Sequence, residues 1–104
     1  MGITRDDVVA ARAEAARAHS EVMGDRNACA RAKSGEAFPA GKFWEGKTAA
    51  LGELLRTADD DLVVSATRLR DQWQDRPVAG PEGEARAYRQ GGVDALTELI
   101  AAAS

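Results

Sequence analysis

The chain has 104 residues and 11.0 kDa, 44% hydrophobic and 30% charged, which is the size of one domain with one core. Seventeen acidic against fourteen basic residues leave a net charge of -3, and no segment holds a large excess of either sign, so a nucleic-acid partner is not expected. The lone cysteine, Cys29, excludes an internal disulfide framework, and no run reaches the roughly 20 apolar residues of a membrane span.

Arg5, Asp6 and Asp7 occupy the place where the apolar stretch of a signal peptide would begin, so a cytoplasmic protein is the expectation. The first helix is predicted to start at residue 5. Thr4 suits the N-cap, Asp7 completes a variant capping box, and Ile3 with Val8 forms a hydrophobic staple. Val8, Ala11, Ala15, Ala18, Val22, Cys29 and Ala32 then follow at helical spacing and form a narrow seam of small residues. Gly24 and Asp25 permit either one helix to about Lys33 or two shorter pieces.

Residues 34 to 46 have neither helical nor strand periodicity, and contain Phe38, Phe43 and Trp44 among glycines and a proline. The expectation is an aromatic loop whose Phe38, Phe43 and Trp44 bind a partner. A second helix is predicted from Lys47 to Gln74 on the stripe Leu51, Leu55, Ala58, Leu62, Ala66, Leu69 and Trp73. Asp59, Asp60 and Asp61 read as a solvated face or as a fresh helix start capped by Thr57. Pro77, Gly80, Pro81 and Gly83 end this helix. A third, shorter helix carries Ala85, Tyr88, Val93, Leu96, Leu99, Ile100 and Ala103, with a kink expected at Gly91-Gly92. No window alternates as a strand does. The fold expectation is therefore all-α, a single domain built as a small three- to four-helix bundle with two long helices, an aromatic loop between them and a shorter kinked C-terminal helix.

Gly41-Lys42-Phe43-Trp44-Glu45-Gly46-Lys47-Thr48 fits the pattern G-x-x-x-x-G-K-[ST]. It resembles the Walker A loop of P-loop nucleotide hydrolases. That resemblance implies a phosphate cradle at Gly41 and Gly46, with Lys47 on the β and γ phosphates and Thr48 on Mg²⁺. The cradle needs a buried strand before it, and Glu36-Ala37-Phe38-Pro39-Ala40 is short and interrupted by proline. Glu45 would also set a carboxylate beside bound phosphate. Trp44-Glu45-Gly46 resembles the W-x-G helical-hairpin proteins exported by type VII secretion. This second likeness implies that Trp44 and Gly46 form the hairpin turn of an exported, dimeric partner protein. The chain departs from that family where Phe38 to Gly41 interrupt the approach to the Trp, and where Gly92 stands in place of an acid four residues after Tyr88.

His19 and Cys29 cannot act together, since ten helical residues separate them by about 15 Å on different faces. The residues four before and after His19 are Ala15 and Met23, so no metal site is expected there. Consecutive helical positions spread the three aspartates about 100° apart, which prevents convergence on one ion. The functional expectation is a non-catalytic interaction module without a cofactor, acting on another protein or on itself as a homodimer, with the Gly41 to Thr48 phosphate binder and the exported hairpin as alternatives.

Overall fold

A computed structural model describes residues 2–23, 39–57, 61–77 and 82–103, and among the described residues all regular structure is helical. Helix α1 spans Arg5–Met23, α2 Pro39–Leu55, α3 Leu62–Gln74 and α4 Glu82–Ala103. The all-α bundle is as expected. Residues 24–38, which include Cys29 and Phe38, and Asp59 and Asp60 lie outside the described residues.

The start of α1 follows from its sequence. Thr4 N–H donates to Asp7 Oδ2 at 2.9 Å, and Asp7 N–H donates back to Thr4 Oγ1 at 3.1 Å, a reciprocal capping box. Ile3 and Val8 are both buried in the core, as a staple requires. Arg5 donates to the Leu55 carbonyl at 2.7 Å, which occupies an acceptor left open at the end of α2. That contact lays the first turn of α1 against the last turn of α2, and the seam residues Val8 and Ala15 are buried there. The seam of small residues is thus used inside the chain, against α2.

Three boundaries differ from expectation. The segment from Pro39 onward is the first part of α2, not a loop. Proline at the first helical position needs no N–H partner and has its φ already set. The glycines behind it lower helix propensity by about 1 kcal/mol each, a cost that tertiary packing overcomes. The stripe read as one helix from Lys47 to Gln74 is two helices, α2 and α3. The amides of Arg56 and Thr57 turn back onto Gly52, Glu53 and Leu54 carbonyls and close α2. Asp61 then opens α3 by accepting from Val63 N–H at 3.1 Å and Val64 N–H at 3.3 Å. The cap is Asp61 rather than Thr57, whose hydroxyl donates to the Glu53 carbonyl at 3.4 Å. Lastly, α4 runs as one helix of 22 residues through Gly91 and Gly92, and is the longest of the helices described.

Glycine explains why α4 continues. A Cβ added at Gly46 would lie 1.9 Å from the Tyr88 carbonyl oxygen, and one at Gly91 would lie 1.9 Å from the Phe43 carbonyl oxygen. The backbones of α2 and α4 therefore touch at two reciprocal points, and only hydrogen fits in each gap. Gly92 makes room in turn for Trp73, whose Cε3 would sit 2.2 Å from a Cβ there. Trp73 is 1% exposed and forms the centre of the α3 contact. Its ring lies 5.3 Å from that of Tyr88, the Arg76 guanidinium covers it at 4.1 Å, and its Nε1–H donates to Glu53 Oε2 at 3.4 Å. Leu51, Leu54, Leu96 and Ala66 complete the core between α2, α3 and α4.

Replacing Gly46 or Gly91 by alanine is expected to lower stability by about 1–3 kcal/mol through overpacking, read from the midpoint of urea unfolding. Gly52→Ala serves as the contrast. Its Cβ would meet only the flexible ends of Arg12 and Arg56, so improved helix propensity should hold or raise the midpoint. Trp73→Ala should cost about 3–5 kcal/mol.

Candidate functional site

All residues of the glycine-lysine-threonine pattern lie within α2, where each has a structural role. The amides of Phe43 to Thr48 fall beyond the first turn and are engaged in the helix, so they present no ring of free N–H groups to a phosphate. Gly41 is buried, and Gly46 faces the Tyr88 backbone. Lys47, expected at a helix start, is mid-helix with a side chain only 13% exposed. Its Nζ pairs with Glu98 Oε1 at 2.5 Å and lies 5.3 Å from the Phe43 ring centroid and 5.1 Å from that of Trp44. One carboxylate and two π faces thus satisfy the ammonium. The Thr48 hydroxyl donates to the Trp44 carbonyl at 3.0 Å, along the helix and away from any metal position. The hairpin turn implied by Trp44-Glu45-Gly46 is likewise absent, because α2 runs straight through these residues.

Phe43 and Trp44 are both partly buried, on adjacent positions of α2 with their rings perpendicular at 5.4 Å. Trp44 forms one wall of a groove of about 280 Å³ between α1, α2 and α4. Ala11 and Ala15 of α1, Leu51 of α2, and Ala95 and Leu99 of α4 supply the other apolar walls. The Lys47–Glu98 pair lies along its side. The groove exists because α1 and α4 both pack chiefly on α2 and meet each other only slightly. Phe38, the third aromatic expected to bind a partner, is outside the described residues.

The sequence offered no route to Glu98 or Tyr88 as members of this region. Glu98 stands 51 positions from Lys47, so no local spacing links them. Tyr88 enters through its backbone, to which side-chain motifs are blind. His19 is partly buried on α1, and among the described residues no group of His, Cys, Asp and Glu side chains is placed to hold a metal ion. Among the described residues no helix is long and apolar enough to cross a membrane. No protein-family model, curated protein or solved structure matches the chain.

Lys47→Ala is expected to cost about 1 kcal/mol, seen as a drop of a few degrees in the melting temperature of the free protein. The same change should leave any response to MgATP unaltered. A phosphate-cradling lysine would give the reverse pattern, with free stability kept and the MgATP response lost.

Proposed function

We propose that the protein is a non-catalytic interaction module whose α1–α2–α4 groove receives an apolar helix, supplied by a second copy of the chain in a homodimer. The observation that carries this reading is the Trp44 wall: a large aromatic side chain left partly exposed beside Leu51, Leu99 and three alanines. Grooves of this make bind amphipathic helices through a few apolar anchors, and tryptophan is among the residues most enriched at energetic centres of interfaces. A core this short of large side chains gains from the extra apolar area that association buries. The near balance of fourteen basic and seventeen acidic residues supports protein rather than nucleic-acid or membrane partners. A lone cysteine is compatible with a cytoplasmic setting.

Light scattering after size exclusion tests the reading. A mass near twice 11.0 kDa is expected for the wild type. Ala11→Glu, which sets a charge on the groove wall, should return the monomer mass with the helical circular dichroism unchanged. A monomer mass for the wild type at about 50 µM, where dimers of low micromolar affinity are largely associated, would count against self-association. Ala15→Glu is a different case. Ala15 is buried against α2, so that charge should unfold the chain and not merely separate protomers.

A further inference from the structure

The α1–α2 contact has a second flank, and its chemistry is unlike that of the apolar groove. We propose that the cleft lined by Arg12, His19, Thr48, Gly52 and Arg56 binds the phosphoryl group of a small phosphorylated molecule. Gly52 is the key to its shape. A Cβ at that position would lie 3.3 Å from Arg12 Nε, 3.7 Å from Arg12 Nη2 and 3.5 Å from Arg56 Nη1. A guanidinium from α1 and one from the turn that follows α2 thus share the surface of one glycine. Neither has a hydrogen-bond or ion-pair partner among the described residues.

Two like charges held this close repel each other, and an anion between them reverses the sign of the interaction. Two carboxylates, Glu45 and Glu53, also line the cleft, but each is engaged elsewhere. Glu45 pairs with Lys42 at 3.2 Å, while Glu53 accepts from Trp73 Nε1 at 3.4 Å and pairs with Arg76 at 3.7 Å. Arg12 and Arg56 are left with planar forks that match two oxygens each on a phosphoryl group. His19, half-buried in the same cleft, adds a further donor. The cleft measures about 480 Å³, which is more than inorganic phosphate fills and within the range of small-molecule sites. Ala16 and Ala49 give it an apolar wall for the organic part of the ligand. The site shares Glu45 and Thr48 with the glycine-lysine-threonine pattern but does not use Lys47.

Calorimetric titration of the full chain with pyrophosphate and with inorganic phosphate, at fixed ionic strength, tests the assignment. Pyrophosphate is expected to bind with a submillimolar Kd and more tightly than phosphate. Arg12→Gln and Arg56→Gln should each weaken it by about tenfold or more. Both side chains are exposed, so melting temperatures should stay near the wild-type value. Arg17→Gln, which removes a guanidinium already held by Glu14 and Glu21, should leave the affinity unchanged. In the wild-type protein, pyrophosphate should shift the Gly52 amide resonance ahead of those in α4. The proposal is overturned by any of three results: no pyrophosphate heat at about 10 mM ligand, equal losses in Arg17→Gln and the two test variants, or amide shifts confined to other helices.

Discussion

The crossing of α2 and α4 at Gly46 and Gly91 is the constraint on which the rest of the structure depends. With a Cβ at either site set 1.9 Å from a carbonyl oxygen of the other helix, the two backbones approach so closely that no side chain fits between them there. Close approach matters in a chain where alanine supplies nearly half of the apolar residues. Small side chains bury little area unless their helices almost touch, and dispersion contacts fall away quickly with a gap. The glycines therefore substitute proximity for bulk. They also bring Lys47 within reach of Glu98 and hold Phe43 and Trp44 at the edge of the contact.

Trp73 organises the other half. It is the largest fully buried side chain, and it is held by α4 through Tyr88 and Gly92, by α2 through Glu53, and by its own helix end through Arg76. Its indole N–H has an acceptor, so burial leaves no orphaned donor. Arg89 adds a bond to the Arg76 carbonyl at 3.2 Å, which ties α4 to the segment that follows α3. The single buried tryptophan supplies the bulk that the alanine-rich helices lack.

These two arrangements leave α1 attached along one side of α2, with an unlike groove on either flank. One is apolar and lined by Trp44, while the other is polar with two arginines over Gly52. Each flank draws its character from residues one position apart: Ala11 and Ala15 face one groove, Arg12 and Ala16 the other. A helix laid on a narrow seam gives such a division directly, because its covered face is thin and both shoulders remain open.

The sequence by itself determined the helical class, the capping box at Thr4 and Asp7, the buried staple of Ile3 and Val8, and the core stripe through Leu51 and Trp73. Each is a local or periodic signal, set by hydrogen bonds three residues apart or by the 3.6-residue repeat. Tertiary structure alone decided the rest. The break before α3 was hidden because Leu55, Leu62 and Ala66 stay in helical phase across it, and the cap expected at Thr57 is made by Asp61. The helix through Phe43 and Trp44 was hidden because glycine and proline argue locally for a loop, and only the backbone of α4 gives Gly46 its purpose. The same cause misread Gly91 and Gly92 as a kink. A glycine in a sequence states that something lacks a side chain, and its meaning as hinge, phosphate cradle or contact point lies in the atom that fills the space, which here belongs to another helix.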